Sequence, residues 1–353
     1  MSATITGWSR GSVVAGPGRA TLASWTPGPV TALSERPLPA PDAHAVVDFD
    51  VRAELGRRGT SFLDRATSLA VVACRDALAD AGLEPDDTNR DRIGVALGTT
   101  VGSFKSTSEF SLDSKVSEKP YLVNPVLFPN TVMNCAAGQA AIRFGLRGVN
   151  ATVAGGPIGF LAALRYATNA LERGYAGVML VGAAEEFSEH RAWAHALSTG
   201  DPKAASVGEA AVVFVVEASP TGRAPQADVL AVCTGYGPAA AGGRDRALRS
   251  CTRRALRTAG VGHDEIVAVV TGEADEADLS EYRPVTGVLG KEVPRLLPKV
   301  YFGDCGAATG GLGVGLLLAG HRGIGPSPAG AALVTGCDPD GAVAVAVLRV
   351  VRA

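Results

Sequence analysis

The sequence predicts an α/β fold in which helices cover both faces of buried sheets. Three observations carry this. Segments of helical period and β-rich runs alternate along the chain. The order strand, helix, strand, helix, strand, strand occurs in residues 1–217 and again in 218–353, giving two halves without a visible sequence repeat. Apolar residues make up 46% of the 353 residues and charged residues 19%, enough to bury most of the chain.

The elements follow in order. Met1-Ser-Ala-Thr-Ile-Thr-Gly7 has neither a basic patch nor an apolar signal core. Residues 15–45, rich in Pro, Ala and Gly, read as surface loops. Phe62, Ala66, Leu69, Val72 and Ala77 recur at helical spacing, which predicts a helix over 60–81 ending near Gly82. Strands are expected at 92–98, 149–154, 176–182, 209–217, 228–235, 266–271, 331–336 and 342–349, where Val, Ile and Leu are concentrated. Helices are expected at 137–145, 158–172, 244–259, 281–290 and 309–320. Ser219–Gln226 and Gly323–Gly330 read as linkers.

Composition excludes several function classes. A net charge of −2 gives no reason to expect nucleic acid or an anionic membrane as partner. The six cysteines are scattered, without a CxxC pair or a histidine at zinc spacing, so no metal and no cofactor are expected and the thiols read as reduced. The longest apolar stretch, Gly311–Gly320, is about half of what a membrane span needs. A soluble cytoplasmic protein is the expectation.

Three segments together resemble the β-ketoacyl synthase family. They are Phe49–Gly56 (FDVRAELG) with Leu63-Asp-Arg65; Phe128–Gly148 (FPNTVMNCAAGQAAIRFGLRG) running on through Asn150–Pro157 (NATVAGGP) to Val178–Glu186 (VMLVGAAEE); and Val207–Glu217 (VGEAAVVFVVE). Order and spacing match from about residue 47 to the C-terminus, with shortenings near 15–40, 190–206 and 238–243. The resemblance implies a thiolase-like fold of two pseudo-duplicated halves in an αβαβα layered arrangement.

A condensing enzyme of this family needs a cysteine at the N-terminus of a buried helix, where the helix dipole favours the thiolate. It also needs two histidines that promote decarboxylation and stabilise the enolate. Counted from Gly148 and from Gly174, the nucleophile position falls on Pro157, and Gly155–Gly159 holds no Ser, Cys or Thr. Proline suits the first turn of a helix, so the helix is expected to survive without the chemistry. The first histidine position falls near Gly272, after Ile266–Thr271, and the second near Gly303; neither region holds a histidine. The family's C-terminal glycine-rich loop is reduced to Thr335–Gly341.

What the resemblance then implies is a chain-length-factor-like subunit of a type II polyketide synthase, paired with a catalytic ketosynthase and served by an acyl carrier protein. Where such factors carry Gln, this chain has Pro157. Its shortened loops suggest a divergent branch serving highly reducing or polyene-type chains rather than aromatic ones. Asn150, Thr152 and Ala154, with Phe128 and Met133, would lie in the interface. Phe104, Thr107, Ser108 and Phe110 in 101–112, with Leu127 and Val132, would line the acyl tunnel.

Two other readings stay open. One is an autonomous thiolase-fold enzyme with a displaced nucleophile at Cys135 or Cys305; the other is a structural scaffold. Cys135 is expected to pack in the core. His190 and His195, five apart in a polar stretch, are expected to face solvent, and His44, His263 and His321 to lie at the surface. Glu185-Glu186 reads as structural rather than as an acid–base pair. Gly311-Leu-Gly-Val-Gly315 is no dinucleotide loop, because no strand–turn–helix unit frames it.

Overall fold

The fold is organised by a strand that sequence periodicity does not reveal. The computed structural model describes residues 3–9, 27–200, 207–218, 222–238, 242–320 and 330–351. The first half contains β1 (Ala3–Trp8), a two-residue pair β2 (Gly28–Pro29) and β3 (Asp42–Ala43), α1 (Val51–Leu55), α2 (Arg65–Asp80), β4 (Ile93–Thr99) and α3 (Phe104–Val116). It continues through α4 (Cys135–Phe144), β5 (Asn150–Ala154), α5 (Gly159–Glu172), β6 (Val178–Glu185), α6 (Glu189–Thr199) and β7 (Ala210–Glu217). The second half holds β8 (Ala227–Tyr236), α7 (Gly243–Ala259), β9 (Ile266–Val270), α8 (Tyr282–Leu289), β10 (Arg295–Leu296), α9 (Pro298–Phe302), α10 (Thr309–Leu318), β11 (Ala331–Cys337) and β12 (Ala342–Val350).

Ten strands form one hydrogen-bonded sheet in the order β10-β9-β11-β12-β8-β1-β7-β6-β4-β5. The antiparallel pair β1–β8 joins its halves. Each half has the same plan read outward from that seam. An antiparallel neighbour comes first (β7 or β12), then an antiparallel one (β6 or β11), then two parallel strands.

The side-chain period of two sorts each strand between layers. In β7, Val213 and Val215 pack under α2 and α4, while Val212, Phe214 and Val216 turn to a central cluster containing α5 and α10. In β12, Val343, Val345 and Val347 pack under α7 and α8, while Ala344, Ala346 and Leu348 join the same central cluster. The result is helices, sheet, helices, sheet, helices: the thiolase-like layering.

All expected strands and helices outside 60–81 are present with ends within two residues, except that β6 runs three residues further, to Glu185. The helix expected over 60–81 begins at Arg65, because Asp64 is its N-cap and accepts the Thr67 N–H; Phe62 lies ahead of it and is 39% exposed. Two readings need correction. Residues 189–199 form α6, capped by Ser188 and ended by Gly200 in the left-handed region, and this helix leaves His190 and His195 half-buried, not solvent-facing. His44 is 5% exposed rather than superficial, because its backbone is tied to Val207 and Glu209 beside a small apolar cluster. His263 is exposed as expected, whereas His321, most of Gly323–Gly330 and residues 15–26 lie outside the described residues. No described helix is long and apolar enough to cross a membrane.

Candidate functional site

The sequence resemblance puts the nucleophile position of a condensing enzyme in the turn between β5 and α5. Gly155, Gly156, Pro157 and Ile158 form a 3-10 turn that leads directly into α5 at Gly159. Gly156 has φ +49, and a Cβ there would meet the Asp338 carboxylate at 2.9 Å. The start of α5 is wedged tightly: a Cβ on Gly98 would lie 2.5 Å from the Gly159 carbonyl carbon, and one on Gly159 2.7 Å from Ala307. Ala307 belongs to the matching 3-10 turn Gly306–Ala308 that leads into α10. The buried helix N-terminus is therefore intact, and Pro157 presents a ring instead of a thiol or hydroxyl.

Carboxylates organise the two loops, near Gly272 and Gly303, to which the sequence resemblance assigns the histidine positions. Glu273, whose side chain is fully buried, accepts from the Glu281 N–H (2.7 Å), the Tyr282 N–H (2.8 Å), the Thr271 hydroxyl (2.7 Å) and Arg295 Nη1 (2.8 Å). It thereby caps the start of α8 and holds the loop shut. Glu281 accepts from the Gly272 N–H and the Thr335 hydroxyl, and burial raises its pKa. At Gly303, with φ +67, the chain turns into Asp304. Burial alone would raise the Asp304 pKa, but the Lys299 ammonium at 3.1 Å, the Gly306 N–H and Arg191 outweigh it and hold the group at about 2. No histidine occurs in Gly155–Gly159, Gly272–Glu281 or Gly303–Ala308.

The remaining candidates carry no activation. Cys305 is fully buried, donates to the Phe302 carbonyl, and has its thiol pKa pushed up by burial. Cys135 begins α4 half-buried, not in the core as expected, and its pKa is also raised by burial. Neither meets the electropositive environment that makes a thiolate. Glu185 accepts from Thr100 and the Ala307 N–H; Glu186 accepts from Ser103 and the Lys105 N–H at the start of α3. Burial, with Asp64 and Glu209 adding to it, raises Glu186 to about 7. The described residues contain no cluster of His, Cys, Asp and Glu able to hold a metal ion.

The six expected tunnel residues fall into three places. Phe104 and Ser108 line a groove of about 560 Å3 between α3 and α6, with Glu189, His190 and Trp193 on its other wall. Thr107 and Phe110 face the 3-10 turn Pro125–Thr131, where the Phe110 and Phe128 rings are 5.9 Å apart. Leu127 is exposed, and Val132 lines an enclosed cavity of about 20 Å3 with Met133, Cys135 and Thr152. The expected interface residues are closer together. Phe128 and Met133 are about half exposed, and β5, which carries Asn150, Thr152 and Ala154, is an edge strand that among the described residues pairs only with β4.

Sequence reasoning missed the roles of Glu209, Glu273 and Glu281. Glu209, fully buried, binds Arg65 and accepts the N–H groups of Val46 and Phe187. Its place inside the apolar run Val207–Glu217 is the signal that could have exposed it, since a charge in a buried strand needs a partner.

The family described as β-ketoacyl synthase, N-terminal domain, matches residues 39–214. Among curated proteins, the chain is 29% identical over 226 residues to 3-oxoacyl-acyl-carrier-protein synthase 2 of Staphylococcus aureus, covering 59% of this chain and 54% of that protein. The same enzyme of Coxiella burnetii is 26% identical over 268 residues, 67% of this chain and 63% of that one. The chain thus spans little more than half the length of the curated relatives it matches. Among solved structures, it superposes on the ishigamide ketosynthase/chain length factor with a TM-score of 0.86 and 36% identity over 100% of both chains. A type II PKS acyl-carrier protein in complex with its ketosynthase bound to the hexaketide, AntDE:AntF, gives 0.79 at 18% identity, with 99% of both chains covered, a likeness of fold.

Proposed function

The chain belongs to the β-ketoacyl synthase family, and on that premise we propose that it is a non-catalytic, chain-length-factor-like subunit. It pairs with a catalytic ketosynthase and shapes the acyl tunnel during elongation on an acyl carrier protein. The observation that carries the reading is Pro157 at the head of an otherwise intact α5. The tightly wedged helix start is present, while no side chain able to attack a thioester stands in Gly155–Gly159. The two histidine loops support it, because each is now held by carboxylates serving backbone N–H groups.

Two features favour pairing. β5 leaves one edge unpaired at the end of the sheet, and beside it Leu122, Val126, Leu127, Phe128, Val132 and Met133 expose apolar side chains. An open edge and an apolar patch invite a second chain, and family members whose partner buries both gain a large interface. The autonomous-enzyme reading fares worse, since burial pushes both candidate thiols away from the thiolate.

Co-expression with a Cys-His-His ketosynthase tests the proposal. A 1:1 complex on gel filtration is expected, with this chain self-associated or poorly soluble alone. A stable monomer at micromolar concentration that ignores the ketosynthase would refute it.

A further inference from the structure

Helix α7 covers the outer face of the second half, away from β5 and the exposed apolar residues beside it. It holds six arginines, at positions 244, 246, 249, 253, 254 and 257, and a single acid, Asp245, for a net charge of +5 in 17 residues. The rest of the chain is left at −7. The fold supplies its own comparison: α2, a helix of comparable length packed on the outer face of the other half, carries two arginines and two aspartates and is neutral.

Helix stabilisation does not account for this. Arg246, Arg249, Arg253 and Arg257 follow one another at spacings of three and four, so like charges stack on one face. Arg244 and Arg246 stand in the first turn, where the helix dipole disfavours cations. Arg246, Arg253, Arg254 and Arg257 are exposed, and Arg253, Arg254 and Arg257 form no ion pair among the described residues. Beside the helix lies a polar groove of about 410 Å3 between Tyr236–Pro238 and Arg246, Ser250 and Arg254.

We propose that the outer face of α7 is a docking surface for an acidic surface of a partner protein. The patch is about 25 Å long at 1.5 Å per residue, the size of one helix of a small domain. A longer polyanion such as a nucleic acid would run off the patch onto an acidic protein. The inference rests on the proposed function for the partner's identity, an acyl carrier protein, which thereby contacts this subunit as well as the ketosynthase.

Titration of the ketosynthase complex, and of this chain alone, with a fluorescent holo acyl carrier protein at 50 and 200 mM salt tests it. Arg246→Glu/Arg253→Glu/Arg257→Glu should weaken binding at least tenfold and flatten the salt dependence, and the triple Lys variant should bind within threefold of the wild type. Unchanged affinity in the Glu variant overturns the proposal. So does tighter binding of a 20-base-pair DNA duplex than of the carrier protein. Failure to form the 1:1 complex is seen separately by gel filtration and counts against the pairing, while the titration of the chain alone still decides the role of α7.

Discussion

Removing Glu273 tests whether its carboxylate is the group that holds the loop after β9. Glu273→Ala strips four donors of their acceptor: Thr271 Oγ1, the N–H groups of Glu281 and Tyr282, and Arg295 Nη1. Breaking a buried ion pair costs about 3–5 kcal/mol. Arg295 keeps the carbonyls of Asp278 and Glu276 and its stack on the Tyr282 ring, which places the pair near the lower end of that range. The three remaining donors add about 1 kcal/mol once water enters the space. The expected loss is about 4 kcal/mol, roughly three decades in the folding equilibrium. Glu273→Gln keeps an acceptor oxygen and should lose about half as much. Urea denaturation followed by tryptophan fluorescence measures both. A Glu273→Ala variant within about 1 kcal/mol of the wild type, or a Gln variant less stable than the Ala variant, refutes the reasoning.

Three further outcomes are expected. Glu186 has a folded pKa near 7 against an ordinary 4.5, so the native state holds its proton more tightly than the unfolded chain; the stability it contributes is present below pH 4.5 and is lost as pH rises toward 7. Relative to the wild type, Glu186→Gln should therefore gain about 2 kcal/mol between pH 5 and pH 8, and a pH-independent difference contradicts the assignment. Leu127→Ala/Phe128→Ala/Met133→Ala removes three half-exposed side chains from the proposed interface; at about 1 kcal/mol each, the ketosynthase complex should dissociate roughly 100-fold more readily, as read by analytical ultracentrifugation. Phe104→Ala/Phe110→Ala should lengthen the products of the complex at similar turnover, since each added methylene is worth about 0.8 kcal/mol of burial; unchanged chain length in an intact complex leaves only a scaffold.

The legible parts of the fold are those whose signal is local. β4, β6, β7 and β12 are runs of Val, Leu and Ala buried on both faces, and α5 places Phe160, Leu161, Leu164 and Ala167 on one face. β1 escaped because Ala3, Ile5 and Trp8 are separated by Thr and Gly over only six residues at the start of the chain; its burial on both edges comes from pairing with β7 and β8. α6 had usable punctuation in Ser188 and Gly200, but its charged and imidazole residues masked the Ala192–Ala196 stripe. At the site, counting from glycines put the expected nucleophile position at Pro157, and the helix expected beside it begins at Gly159. The separation of Phe104 and Ser108 from Thr107 and Phe110 was implicit in helical spacing, since these pairs point roughly a third of a turn apart. A charge in a buried apolar run, as at Glu209, signals that a partner is needed, but the partners of the carboxylates could not be read. Glu273 and its partner Arg295 are 22 residues apart, and Glu209 and Arg65 are 144 apart, so only the folded chain brings them together.

On the proposed function this chain shapes a condensation that it does not perform. Intact-mass spectrometry of the co-purified complex after exposure to an acyl thioester of the carrier protein tests it most directly. The account predicts the acyl mass on the ketosynthase and an unmodified mass for this chain. An acyl adduct on this chain, mapped to Cys135, Cys305 or any other residue, would contradict it.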